Sequence, residues 1–338
     1  MEFIDGVYNE YDKEAIKILD GFLPDKIFDA HMHILTKETA PNMSKGDGFD
    51  RYDVMGYPEF IRDSKPLFGN REVRANMIVT PDKAMADRSN GVRAASTAFL
   101  AEQLELHKGN VGEIIVLPDD TVEDIEKQLI HKNICGFKCY HVMAKRNVTW
   151  HASIGEFLPE AAWQVANERG LSITLHMVRD GALSDPENME YIITMAKKYP
   201  NAVLILAHAA RAFAAWTAIE AVEKLAPYDN VWFDFAAVCE SPAMLQIIKK
   251  IGTKRILWAT DYPVSVLCGK AISLADSFYW IGAKDLKQFA GPTVFHSWLV
   301  GTENLMATRQ ACLLADLKED AVEDLFYRNA MRLFRPEK

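Results

Sequence analysis

Eight short apolar runs alternate with longer segments of helical character, and this alternation constrains the fold more than any other feature of the chain. The runs are residues 26–34, 73–79, 112–118, 135–141, 171–178, 202–208, 230–236 and 255–261. Apolar residues occupy both faces of most of them. That is the signature of strands buried on two sides, as in a parallel sheet flanked by helices. Helices are predicted over 121–131, 157–169, 188–199, 212–225 and 241–251, with Thr121 as an N-cap and Asp124 in the first turn behind it. Two more, near 304–315 and 318–334, would close the outside. The chain has 338 residues, which a single (β/α)₈ barrel accommodates. An open doubly wound sheet would carry a glycine-rich phosphate loop after its first strand. Here the first strand ends in His-Met-His and no GxGxxG follows. The expectation is therefore an α/β chain folded as one (β/α)₈ TIM barrel over 1–338, with extra terminal helices and an N-terminal extension over 1–25.

The segment 36–70 stands apart. It is long, rich in Gly, Pro and charge, and carries Phe49, Tyr52, Tyr57, Phe60 and Phe68. Long irregular segments inside compact domains tend to be functional. Since it follows the first strand, it is expected to act as a lid-like loop over the mouth.

Bulk properties remove several classes of function. The formal net charge is −9, which disfavours nucleic acid as a partner. Residues 202–219 resemble a membrane span in composition, but His208 and Arg211 would be costly in lipid. They read better as a buried strand followed by a helix, and no membrane is expected as a partner. The five cysteines, Cys135, Cys139, Cys239, Cys268 and Cys312, form no Cys-x-x-Cys pair. Free thiols, and no basic or apolar leader at the start, point to a cytoplasmic protein. Oligomeric state is hardly constrained; a homodimer is compatible with the sequence.

Chemistry concentrates at the strand ends. His31 and His33 end the first strand, His176 the fifth, His208 the sixth and Asp261 the eighth. Side chains alternate along a strand, so His31 and His33 share a side and Met32 points the other way. Barrel active sites lie at the C-terminal ends of the strands, where all five would converge. Three imidazoles and a carboxylate leave a divalent cation with an open position. Zn²⁺ so held can lower the pKa of bound water to about 7.

The order HxH, His, His, Asp resembles the amidohydrolase superfamily. FDAHMHI (28–34), GFKCY (136–140), ITLHM (173–177), PNAVLILAHAAR (200–211), VWFDFA (231–236), RILWATDYPV (255–264) and NAMRLF (329–334) are similar to its amidohydrolase-2 branch. The resemblance implies metal ligation by His31, His33, His176 and Asp261, with Asp261 also handling the proton of the attacking water. It implies that His208 polarises the substrate or stabilises an oxyanion in one-metal members, and binds a second ion in two-metal ones. Lys138 corresponds to a strand-four lysine that is carboxylated in two-metal relatives and not a ligand in others. One divalent metal is expected, with Zn favoured over Mn or Fe.

The leading function so implied is a metal-dependent hydrolase. It would use a metal-bound water to attack a C–O or C–N bond of a small carbonyl compound such as a lactone, ester or amide. The alternative is a metal-dependent, non-oxidative decarboxylase of a small unsaturated or aromatic carboxylic acid. A non-catalytic ligand-binding barrel is the third reading. Lys138, Tyr140, His141, Arg179 and Arg211 are candidates to bind a small, anionic substrate. For the two arginines, salt bridging between loops is the competing role. Trp150 and Cys239 lie near the same strand ends. His107, His131 and His151 read as surface residues, and His296 has no assigned place.

Overall fold

A computed structural model describes residues 4–43, 49–289 and 297–337. His296, and residues 44–48 of the 36–70 segment, lie outside the described residues. The strands are β1 (Lys26–Thr36), β2 (Val54–Met55), β3 (Glu72–Val79), β4 (Val111–Ile115), β5 (Ile134–Tyr140), β6 (Ser172–His176), β7 (Val203–Leu206), β8 (Val231–Asp234) and β9 (Ile256–Leu257), followed by β10 (Gly269–Leu274) and β11 (Ser277–Gly282). Strands β1 and β3 to β9 pair in parallel in sequence order. The chain beyond β9 then returns to β1. Ala30 N donates to Trp258 O, Asp261 N to His31 O and His33 N to Tyr262 O, at 3.2, 2.8 and 2.8 Å. These bonds close the eight parallel strands into a barrel, as the sequence pattern predicts. β2 adds antiparallel to the far end of β1, pairing Leu35 with Met55.

The eighth strand is regular only over Ile256–Leu257, whereas 255–261 is predicted. Asp261 has a positive φ of 58°, so the chain bends out of the sheet just where its carboxylate must turn to the barrel axis. The predicted helix over 212–225 is also interrupted. It resolves into Trp216–Ile219 and a 3₁₀ turn at Val222–Leu225. Ser241–Ile251 is as expected; Thr121 caps its helix in a capping box with Asp124, but that helix spans only Val122–Glu126 of the predicted 121–131. Among the described residues no helix is long and apolar enough to cross a membrane, and all five cysteines are free.

Three excursions shape the mouth. Within 36–70, Phe49 reaches the cavity described below and lies 6.1 Å from His33, ring to ring. The helix Tyr57–Phe68 does not. It packs on the barrel wall through Phe60 against Tyr262 (5.5 Å) and Phe68 against Trp258 (5.8 Å). The N-terminal extension begins at the mouth: Asp5 Oδ1 accepts from Cys268 N at 2.7 Å before the helix Glu10–Asp20. The third excursion is the β10–β11 hairpin, which the sequence reading does not anticipate.

The barrel interior carries buried polar groups. Glu113 on β4 reaches over β5 to β6, where its Oε1 accepts from Ser172 Oγ (3.0 Å) and Thr174 Oγ1 (2.9 Å); Oε2 has no partner among the described residues. Burial pushes its carboxyl up from 4.5 to about 7, against the lowering effect of Thr174 and Lys138. A raised carboxyl favours the folded state in its protonated form. Its contribution is therefore complete below about pH 4.5 and is lost as pH rises through 7. The shift is worth on the order of 3 kcal/mol. Glu113→Gln is expected to close much of the stability gap to wild type between pH 5 and pH 8 in urea unfolding. A gap of equal size at both pH values contradicts this.

Candidate metal centre

Strand β1, the end of β6 and the turns after β7 and β9 bring the five residues close together. His31 is the sixth residue of β1 and is fully buried. Its Nδ1 lies 2.9 Å from Asp234 Oδ2 on β8. A carboxylate accepts, so Nδ1 carries the hydrogen and the Nε2 lone pair faces the site. That Nε2 is 3.5 Å from Asp261 Oδ1, and His33 Nε2 is 3.4 Å from the same oxygen. His33 Nδ1 is buried without a partner among the described residues. His208 follows β7; its Nδ1 lies 3.0 Å from the carbonyl of Ala236, which can only accept, so Nε2 again keeps its lone pair. This Nε2 lies 3.1 Å from Nδ1 of His176, the last residue of β6.

Separations of 3.1–3.5 Å are what neighbours around one ion show. Tetrahedral bonds of 2.0–2.1 Å place ligand atoms roughly 3.3 Å apart. Ligand atoms of His31, His208 and Asp261 all lie within 4.8 Å of one another. The donor set, its lone pairs aimed inward and its orphaned His33 nitrogen suit a divalent cation. His208 thus stands as close to this centre as the residues predicted to be ligands.

Electrostatics agree. Burial, reinforced by Lys138, drives the His31 imidazole well below its usual value, and burial followed by His208 does the same to His176. Both rings are neutral, the form in which imidazole ligates. Burial raises the Asp261 carboxyl, but His208, His33 and His31 outweigh it and hold the group down at about 2. It is a carboxylate at any physiological pH.

The turn after β7 is unusual. Residues 208–211 all have left-handed backbone conformation, with φ of 57°, 53°, 62° and 59°. None is glycine, and this geometry costs roughly 1–2 kcal/mol per residue. Residues three apart share a side of such a turn, so His208 and Arg211 both enter one cavity. Its volume is 700 Å³, and Asp261, His176 and His208 line it together with Arg211, Phe49, Tyr140, Trp150, Phe213, Phe278 and Trp280.

The weaker sequence candidates separate clearly. Arg211 is 4% exposed. Its guanidinium lies 4.0 Å from the centre of the Trp150 ring and 5.1 Å from that of Phe278. Nη1 donates to the carbonyl of Arg179 at 2.7 Å, and no carboxylate pairs with Arg211 among the described residues. Burial lowers it to about 10, so it stays charged. Arg179 takes the competing role: Asp185 (3.3 Å) and Glu187 (2.6 Å) hold its side chain in an ion-pair cluster away from the cavity. Tyr140 lines the cavity with its ring 4.4 Å from that of His176. His141 stands behind it, bonded to Thr149 Oγ1 at 3.0 Å. Lys138 is fully buried beneath the site, its Nζ donating to His31 Nε2 at 2.9 Å, and does not line the cavity. Cys239 is buried against the carbonyl of Ala237.

Asp234 is the residue that sequence reasoning missed. It accepts from His31 Nδ1 and from the backbone N–H groups of His208 (2.8 Å) and Ala236 (3.1 Å). A lone charge within the apolar run VWFDFA was the available signal, since a buried carboxylate needs partners.

A family model described as Amidohydrolase matches residues 28–335. The chain belongs to the amidohydrolase family. The match spans every strand-end residue named above. No curated protein matches in sequence. Among solved structures, this family member is similar to a zinc-bound amidohydrolase from Burkholderia multivorans, at 13% identity and a TM-score of 0.57 over 92% of this chain and 99% of that one. It is also similar to a dihydroxybenzoic acid decarboxylase from Polaromonas sp. JS666 with bound manganese and the inhibitor 2-nitroresorcinol (14%, 0.57, 92% and 97%). A third is a 5-carboxyvanillate decarboxylase from Novosphingobium aromaticivorans, complexed with manganese and 4-hydroxy-3-methoxy-5-nitrobenzoic acid (12%, 0.57, 91% and 96%). At these identities the likeness is one of fold.

Proposed function

We propose that this amidohydrolase is a metal-dependent, non-oxidative decarboxylase of a small aromatic or unsaturated carboxylic acid. The hydrolase reading, placed first on the sequence, gives way to its alternative. The observation that carries the proposal is the cavity: a slot walled by six aromatic rings, with one buried guanidinium that meets no carboxylate among the described residues, opening on the His/Asp cluster. A planar, conjugated anion complements such walls. In decarboxylation the charge moves from a compact carboxylate into a delocalised ring system. A water-poor, apolar slot favours the dispersed charge over the compact one. The aromatic acid chemistry named for the Polaromonas and Novosphingobium proteins supports the same choice.

His31, His33, His176 and Asp261 would hold one divalent ion. The zinc and manganese of the structural neighbours support either metal. When bound, the ion supplies Lewis-acid polarisation of substrate oxygens. The chain's own groups do the rest. Arg211 attracts the anion, the aromatic walls align the ring and exclude water, and His208 stabilises negative charge as it develops. Breaking the ring–carboxylate bond releases CO₂, and one proton must reach the vacated carbon. That proton comes from water; Asp261, ionised at rest, would take it up and pass it to the carbon. Free thiols at all five cysteines fit a cytoplasmic setting.

Manganese- or zinc-loaded protein is expected to release CO₂ from hydroxybenzoic acids while leaving lactones and esters intact. Lactone or ester hydrolysis with no gas evolved would restore the hydrolase.

A further inference from the structure

We propose that Asp234 is a positioning residue that sets two parts of the site at once: the imidazole of His31, and the left-handed turn that carries His208 and Arg211. Its carboxylate is fully buried and its two oxygens divide the work. Oδ2 takes the Nδ1 hydrogen of His31 at 2.9 Å, which fixes the tautomer and aims Nε2 inward. Oδ1 takes the backbone N–H of His208 at 2.8 Å, the first residue of the left-handed run, and that of Ala236 at 3.1 Å. Ala236 in turn offers its carbonyl to His208 Nδ1. One carboxylate therefore fixes His31 directly and His208 through both its backbone and its ring.

The turn depends on such a clamp. Alanine and arginine avoid left-handed backbone, and Ala209 and Ala210 have no side-chain hydrogen bonds with which to favour it. Releasing Oδ1 frees residues 208–211 to leave that conformation, and Arg211 then leaves its place between Trp150 and Phe278. The inference rests on the proposed function in taking His31 as a metal ligand and Arg211 as the anion-binding group; it holds for either lyase or hydrolase chemistry.

The two arms can be measured separately, without turnover. Manganese affinity is read by chelator competition, and anion binding by calorimetry with benzoate on metal-free protein. Asp234→Ala removes both acceptor oxygens. It is expected to weaken manganese binding about 10- to 100-fold and benzoate binding by at least about 5-fold. Adding Ala209→Gly and Ala210→Gly, which adopt the left-handed turn without steric cost, is expected to restore benzoate binding and leave the metal defect in place. A purely structural role would not divide in this way. Manganese binding at wild-type strength in Asp234→Ala overturns the proposal, as does recovery of both defects by the glycine pair. If Asp234→Ala does not fold, Asp234→Glu takes its place. It keeps the charge but displaces the carboxylate by one methylene, and wild-type affinity for both probes in that variant overturns the proposal equally.

Discussion

Asp261→Asn is expected to lose turnover by at least about 10²- to 10⁴-fold and to lose metal with it. The side chain does two jobs that asparagine cannot. Its charge balances an ion among neutral imidazoles, and Oδ1 lies 3.4–3.5 Å from both His33 and His31. His208→Asn provides the contrast. Asparagine keeps a donor near the Ala236 carbonyl but removes the ring that faces His176 at 3.1 Å. Near-normal metal content is expected, with turnover down by about 10²- to 10⁴-fold. Elemental analysis beside a rate assay separates the two variants. If His208→Asn strips half the metal from a site holding two ions, the one-ion assignment fails. The closeness of His208 to the His31–Asp261 pair would then mark it as a ligand of the second ion.

Gly269→Ala is the second change expected to be severe, although it lies outside the cluster. Gly269 has φ +117°, and a Cβ there would meet the Ile281 carbonyl oxygen at 1.9 Å. It pairs with Gly282 at the open end of the β10–β11 hairpin. That hairpin holds Phe278 and Trp280 against Phe213, at 5.1 and 5.2 Å, and Phe213 stacks on His208 at 5.4 Å. Displacing the hairpin therefore moves one wall of the cavity and loosens the packing behind the His208 imidazole. A shift of about 1 Å at such a wall can cost about 10²-fold in rate. Global stability should suffer less, by about 1–3 kcal/mol, as expected for local backbone strain. The signature is faster amide exchange confined to 269–282, turnover down by about 10²-fold and a modest fall in Tm. Wild-type kinetics in this variant would mean that the hairpin does not shape the site.

The framework of this site was legible in the sequence because burial on two faces writes itself into composition. Eight apolar runs became eight parallel strands; His176 ends its strand, His208 and Asp261 follow theirs, and His31 and His33 lie inside a first strand that runs on to Thr36. What escaped depends on contacts that are distant in the chain. Asp234 matters through partners 203 and 26 residues away. The left-handed turn at 208–211 occurs in an alanine-rich stretch whose local preference is right-handed helix, and tertiary hydrogen bonds override that preference. Arg179 and Arg211 each stand three residues past a strand-end histidine and look equivalent in the sequence. They diverge because Asp185 and Glu187 neutralise one, while the other meets aromatic faces and a backbone carbonyl. The hairpin did leave a trace in the alternation of KAISLADSFYWIG, with Ala275 at φ 54° in its turn.

The most direct measurement runs the manganese-loaded protein with a hydroxybenzoic acid in D₂O and weighs the products by mass spectrometry. The expected result is one CO₂ for each phenol formed, with one deuterium on the carbon that bore the carboxylate. A product heavier than its substrate by one water, formed from a lactone, ester or amide with no CO₂ and no deuterium on carbon, would contradict decarboxylation at this centre.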